Sequence, residues 1–400
     1  MVKPTQPEWG LNTRLVHAGD SAEAQAGAAA QVVSPAIQRA STVLLPDAAS
    51  LYAFDRPSYG RMGLGVQAAL EAAISELEGA TETRVFSSGA AAITAALMAV
   101  LSAGDEVLMS AGAYAPSRRF CHTVLKRFGV QSRFFHPRAT AEELMAMAGP
   151  NTKLVFLEAP ASLTFEIQDI PAIAQAARAR GMVTMIDNTW GAGVLLRPLE
   201  LGVDVSIQAL TKYASGGSDL FMGSVSMRDP ALAEQVKLLM QDTGWAVSPD
   251  DCYTVLRSLR SLPVRLARHG ASALEVASWL GAQDEVAEVL CPALPGARDH
   301  DLWRRDFKGT NGLFGLVLKP GPAKATDAFL DRLELFGLGF SWGGFESLAV
   351  WGDPQVRNPE RGWTAAGALI RLHVGLEDPA DLIADLRGGL DAFAASCEEQ

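Results

Sequence analysis

Apolar residues along the chain fall into short runs separated by amphipathic stretches, and the alternation is clearest between residues 82 and 210. The runs "TRVFSS", "DEVLMS", "VQSRFFH", "KLVFLEA", "MVTMIDN" and "VDVSIQAL" are too short for helices and read as strands. Between them, helical spacing predicts helices near 90–102, near 116–128 and over "IPAIAQAARARG". The last of these carries its own punctuation, with Asp169 as a cap, Pro171 in the first turn and Gly181 just past the end. Strands alternating with helices predict crossover connections and a mostly parallel central sheet, hence an α/β fold.

Beyond about residue 255 the texture changes. A long helical stretch opening at "DDCYTVL" leads to isolated strands "GLFGLVLKP" and "LIRLHVGLE" with helices between them, which predicts a smaller C-terminal α+β domain. The first 60 residues are rich in Ala, Gln, Ser and Pro, weakly periodic, and expected to form an arm that packs on something else; "AEAQAGAAAQ" within them reads as a flexible loop. A chain of 400 residues exceeds the size at which one core keeps growing. The expected organisation is an arm over 1–60, an α/β domain over 61–255 and an α+β domain over 256–400.

Charge narrows the partners. A formal charge of -11, with basic residues scattered along the chain, argues against nucleic acid and acidic membranes and favours a small-molecule ligand. Cys121, Cys252, Cys291 and Cys397 stand far apart and the six histidines form no paired ligand motif, so no metal site is expected. The start of the chain lacks the pattern of a secretory signal, and "AAAITAALMAVLSAG" is too short to span a bilayer; a cytoplasmic location is the expectation.

Three places along the α/β segment can carry chemistry. In "FSSGAAAITAAL" a strand ends in Ser87-Ser88-Gly89 and a helix starts at once, so its first N–H groups could hold an anion; alone this is an ordinary strand-to-helix turn. Asp187 ends the apolar strand "MVTMID", at the edge where sheets of this class bind ligands, although a capping role explains an isolated Asp equally well. Lys212 follows the next strand in "SIQALTKYASGGSD". A phosphate cradle, a carboxylate and a lysine amine at one sheet edge together match what pyridoxal phosphate requires: an anion site, a counter-charge for its ring nitrogen and an amine that condenses with its aldehyde. Tyr114, in "AGAYAPSRRF", follows a neighbouring strand and could stack on such a ring.

Over most of its length the sequence resembles the Cys/Met-metabolism family of pyridoxal-phosphate enzymes, and within it the cystathionine-cleaving members. The likeness runs from "YGRMG" at 59 to "GLEDPADLIADL" near 386, through "YAPSRRFC", "VTMIDNTWGAGVL", "DVSIQALTKY", "RDFKGTNGLFGLVL", "SWGGFESL" and "LIRLHVGLED". The resemblance implies an aspartate-aminotransferase-like (fold type I) architecture and a soluble homotetramer built as a dimer of dimers with shared active sites. It implies that Lys212 holds the cofactor covalently, Asp187 faces its ring nitrogen and Tyr114 stacks on the ring, while Gly89, Ala90 and Thr211 bind the phosphate. Tyr59 and Arg61 of "YGR" would reach the cofactor of the neighbouring subunit. Arg371 would bind the substrate carboxylate, with Ser341 and Trp342 of "SWGG" shaping that side.

Residue alternation independently sets Arg371 and His373 on one face of their strand and Ile370, Leu372 and Val374 on the other, a pattern that an exposed edge strand would also give. The implied reaction is β-elimination of a thioether amino acid, L-cystathionine, to homocysteine, pyruvate and ammonia. Alternatives within the family are γ-elimination, γ-replacement and lysis of cysteine or cystine. Ala209 and Gly217 depart from the serine and histidine that many relatives carry there.

One motif points elsewhere. "GFSWG", Gly339 to Gly343, is a formal G-x-S-x-G followed by Asp353 and His373 in the order of an α/β-hydrolase. That elbow needs a strand before it and a helix after it, whereas here a glycine-rich loop leads into the strand-like "ESLAVW". No G-x-G-x-x-G opens a helix after the first strand, which argues against a dinucleotide binder.

Overall fold

The computed structural model describes residues 9–18, 32–53, 56–357 and 360–398. The alanine-rich "AEAQAGAAAQ" stretch and the start of the expected arm lie outside the described residues. Two sheets organise the chain. The first has seven strands: β1 (Glu82–Phe86), β2 (Glu106–Ser110), β3 (Gln131–Phe135), β4 (Thr152–Glu158), β5 (Val183–Asp187), β6 (Val205–Gln208) and β7 (Gly223–Met227). Their order is β1-β7-β6-β5-β4-β2-β3. Strands β6, β5, β4, β2 and β3 run parallel, and only β7 runs against its neighbours β1 and β6. The chain is therefore α/β, as its alternating pattern predicts.

Both faces of this sheet are covered, which is why its strands read as nearly continuous apolar runs. Leu108, Val155, Leu157 and Ile186 face one layer of helices, where the helix Ile170–Ala179 buries Ile170, Ile173, Ala174 and Ala177 at helical spacing. Asp169 caps that helix by accepting the Ala172 N–H at 3.4 Å, and Gly181 turns the chain away at φ +68°. Val107, Met109, Leu154, Phe156 and Met185 point the other way, against the helix Gly89–Val100. That helix sits close to the sheet because its buried face is rich in small residues, Gly89, Ala92, Ala95 and Ala96 beside Ile93 and Leu97, and because Gly223 lacks a side chain: a Cβ there would stand 2.4 Å from the Ser88 carbonyl oxygen.

The second sheet holds β8 (Val286–Leu290), β9 (Leu313–Leu318), β10 (Gly337–Leu338), β11 (Leu348–Trp351) and β12 (Leu369–His373), in the order β10-β11-β12-β9-β8. Here β12 is central and all five of its residues are buried. The alternating pattern of "LIRLHV" is thus that of an interior strand and not of an exposed edge. The helical stretch after Asp250 divides into two helices, Pro249–Leu259 and Leu262–Leu280, with Arg260 and Ser261 between them.

The two sheets are tied together beside the cavity described next. Asn311 Nδ2 donates to the Trp190 carbonyl at 2.7 Å, Trp190 Nε1 to the Leu313 carbonyl at 3.2 Å, and the Gly312 N–H to Tyr213 Oη at 3.0 Å. Among the described residues, no helix is long and apolar enough to cross a membrane.

Candidate active site

At the carboxyl ends of the parallel strands a cavity of about 740 Å³ opens between the two sheets. Ligands of α/β proteins bind at this edge, because side chains that leave successive strands converge there. Asp187 ends β5, and its Cα is paired with those of Glu158 on β4 and Ile207 on β6. Lys212 follows the end of β6, in a turn closed by its own N–H donating to the Ala209 carbonyl at 3.1 Å. Asp187, Lys212, Tyr114, Gly89, Ala90, Thr211, Arg371, Ser341 and Trp342 all line this cavity.

Each wall has a local cause. Lys212 Nζ donates to Ser341 Oγ at 2.9 Å and lies 5.5 Å from the centre of the Trp342 ring. Burial lowers its pKa to about 8, with the Arg371 cation adding to the shift and Asp187 opposing it. Asp187 is buried and accepts the Thr189 N–H at 2.9 Å and the Thr189 hydroxyl at 2.5 Å, both on Oδ1. Burial raises its pKa, against the pull of Thr189 and Lys212.

Arg371, on central β12, sends Nη2 to the carbonyls of Gly339, Phe340 and Ser341 at 2.9–3.1 Å, which fastens the loop carrying Ser341 and Trp342. Among the described residues, its buried Nε has no hydrogen-bond partner. A guanidinium lining a cavity is a ready carboxylate site.

Ser88 caps the helix Gly89–Val100 by accepting the Ala91 N–H at 3.1 Å, and the Ala92 N–H bonds to the Ser88 carbonyl. No acceptor among the described residues meets the N–H groups of Gly89 and Ala90, so both are available to an anion in the cavity. Gly89 also allows the turn after β6 to come near: a Cβ on it would stand 2.5 Å from that of Ala209.

Two residues that the sequence did not single out complete the centre. Thr189 hydroxyl donates to Asp187 and accepts the Ala209 N–H at 2.8 Å, joining the aspartate to the turn of the lysine. A Thr two positions after a strand-end Asp is the available sequence signal, since such an Asp commonly accepts from the backbone two residues on. Glu158 Oε2 accepts the Tyr114 N–H at 2.7 Å and so sets where that ring stands. Burial and the nearby Asp187 push the Glu158 carboxyl well above the usual range.

Other expected residues lie apart. Tyr59 is half exposed and pairs with Thr42, Arg61 Nη1 donates to the Gln241 carbonyl at 2.7 Å, and neither lines the cavity of its own chain; nor does Gly217. The hydrolase motif does not assemble. Ser341 sits in a loop between β10 and β11 with no helix after it, and its hydroxyl meets Lys212. His373 Nε2 accepts the Gly343 N–H at 3.1 Å, while Asp353 is bonded to Trp351, Arg357 and the Leu369 N–H.

A family model described as Cys/Met metabolism PLP-dependent enzyme matches residues 12–391. The chain belongs to this family. Pyridoxal phosphate is the family's cofactor, and the cavity fits it: two unpaired N–H groups for a phosphate, a carboxyl bonded on one oxygen only, and a lysine amine of lowered pKa. Within the family, a putative cystathionine beta-lyase of Rhizobium johnstonii is 45% identical over 394 residues, 96% of this chain and 97% of the relative. Cystathionine beta-lyase MetC of Escherichia coli is 42% identical over 391 residues, 95% of this chain and 98% of the relative. The crystal structure of metB from Corynebacterium glutamicum superposes with a TM-score of 0.89 at 28% identity, covering 96% of this chain and 98% of that one.

Proposed function

We propose that this enzyme is a carbon–sulfur lyase that converts L-cystathionine and water to homocysteine, pyruvate and ammonia. One observation carries the reading: the Lys212 amine and the Asp187 carboxyl stand at the ends of adjacent strands β6 and β5 and open onto the same cavity. Relatives at 42–45% identity over nearly the whole chain bear the name cystathionine beta-lyase, which supports the choice of substrate.

Pyridoxal phosphate supplies an electron sink for the bond broken at the substrate's α-carbon. Lys212 Nζ would hold the cofactor covalently, and its amine, when free, would take the proton from the substrate's α-carbon. A lysine in water stays protonated at neutral pH and makes a poor base. The shift to about 8 brings Lys212 within reach of that task. Asp187 would keep the proton on the ring nitrogen, and Thr189, by bonding only Oδ1, leaves the other oxygen for that role.

Gly89, Ala90 and Thr211 would hold the phosphate, Tyr114 would cover the ring, and the Arg371 guanidinium would take the substrate carboxylate. Ser341, 2.9 Å from Nζ, and Trp342 orient the lysine on the opposite side. Tyr59 and Arg61, outside their own chain's cavity, serve the cofactor of a neighbouring subunit in a homo-oligomer. Product analysis tests the reaction. Pyruvate with homocysteine is expected from L-cystathionine; 2-oxobutyrate with cysteine would replace this reading by γ-elimination.

A further inference from the structure

Behind the Lys212–Asp187 pair lies a buried carboxyl that the chemistry above does not use. Glu78 ends the helix Gly65–Glu78 and has no exposed surface. Asn188, the residue after Asp187, donates its Nδ2 to Glu78 Oε1 at 3.1 Å and Oε2 at 3.3 Å. Gln208, the last residue of β6 and four before Lys212, donates its Nε2 to Glu78 Oε1. A single carboxyl therefore grips both strand ends at the point where they release the two central residues.

The grip has a fixed base. Arg197 closes the end of the Glu78 helix, with Nε to the Leu77 carbonyl at 3.0 Å and Nη2 to the Glu76 carbonyl at 2.7 Å, and Gly79 turns the chain away at φ +66°. The Asn188 N–H donates to the Ile207 carbonyl at 2.7 Å, the last rung between β5 and β6. Burial is costly for a carboxyl: it raises the Glu78 pKa to about 7, with Gln208, Ser206, Asn188 and Arg197 opposing. An apolar side chain would avoid that cost and still fill the space, so packing alone gives no reason for a carboxyl here. What a carboxyl adds is an oxygen, Oε1, that accepts from both amides, and a second, Oε2, that accepts again from Asn188, so the two amides are held at a set separation.

We propose that Glu78 is a positioning residue: by holding the Asn188 and Gln208 amides together, it sets the separation and orientation at which Asp187 and Lys212 meet the cofactor. The inference rests on the roles proposed for those two residues. It can be tested apart from them, because the reactivity of the Lys212 amine can be followed without cofactor.

Three variants are compared with wild type: Glu78→Gln, which leaves one acceptor for two amides; the exchange Glu78→Gln with Gln208→Glu, which restores a carboxyl–amide pair in reverse; and the milder Gln208→Met, should Glu78→Gln fail to fold. For Glu78→Gln, kcat is expected to fall about tenfold with KM held within about twofold. The visible circular dichroism of the bound cofactor should change. In cofactor-free protein, the pH midpoint of Lys212 acetylation, followed by peptide mass spectrometry, should move by about half a unit or more. Gln208→Met should move all three in the same direction by less, and the exchange should bring them back toward wild type.

Two results overturn the proposal. One is a folded Glu78→Gln, or a folded Gln208→Met in its place, with dichroism and Lys212 midpoint unchanged. The other is an exchange variant whose thermal midpoint recovers while dichroism and Lys212 midpoint do not, which makes Glu78 a structural residue only. Should the wild type bind no cofactor, the roles proposed for Lys212 and Asp187 fail, and the acetylation midpoint alone decides the question of Glu78.

Discussion

Asp187→Asn removes one charge and little else. The amide oxygen can still accept from the Thr189 N–H and hydroxyl, so the end of β5 should keep its shape. The carboxylate and a protonated ring nitrogen about 3 Å apart, at an effective dielectric near 20, attract by roughly 5.5 kcal/mol before desolvation is counted. Burial already works against the charge on Asp187, and it consumes part of that gain. If about half survives, roughly 2.7 kcal/mol of barrier depends on the carboxylate, about a hundredfold in kcat.

The assay is pyruvate release from L-cystathionine, coupled to lactate dehydrogenase, with cofactor content read by absorbance on the same sample. The variant is expected to retain stoichiometric cofactor and lose about a hundredfold in kcat. Turnover near wild type with the cofactor bound would refute the assignment of Asp187 to the ring nitrogen.

Arg371→Lys replaces a planar fork by a point charge and frees the carbonyls of Gly339, Phe340 and Ser341; KM for cystathionine should rise about tenfold or more in steady-state assays, with cofactor binding unchanged. Thr189→Val leaves the Ala209 N–H without its acceptor and Asp187 with one donor fewer, a cost of about 1–3 kcal/mol that should appear as a lower thermal midpoint and a lower kcat. Glu78 also predicts a pH effect on stability. Its pKa is about 7 folded against 4.5 unfolded, so between those values the folded chain holds a proton that the unfolded chain has released. Stability should therefore fall as pH rises through that window, by about 3 kcal/mol from this group. Glu78→Gln should flatten the fall in urea titrations run from pH 5 to pH 8, and an equally steep fall in the variant would assign it to other groups.

The sequence made the parallel half of the large sheet legible for a physical reason: with helices on both faces, β2, β4, β5 and β6 became apolar runs bounded by polar turns. The helix Gly65–Glu78 and strand β7 escaped that reading. Ser75, Thr83 and Ser226 join the helix, β1 and β7 through hydroxyl–hydroxyl bonds of 2.9 Å, so small polar groups stand where the hydropathy pattern looks for leucine and valine. The lysine and aspartate were legible as a pair because each follows or ends a strand, and the spacing of strands sets them on one rim. Glu158, Thr189 and Glu78 were not, because their importance comes from partners 44, 20 and 110–130 residues away. The role of Arg371 is implied by the family resemblance, and alternation sets it only on the face it shares with His373; its hold on the Ser341 loop depends on how β12 is packed between β9 and β11.

The chemistry turns on the identity of one amine. Reduction of the enzyme with borohydride in the presence of pyridoxal phosphate, followed by proteolysis and mass spectrometry, finds the residue that carries the cofactor. A single modified peptide is expected, with the pyridoxyl group on Lys212, and none in Lys212→Ala. A pyridoxyl group on another lysine, with Lys212 unmodified, would rule out Lys212 as the attachment point.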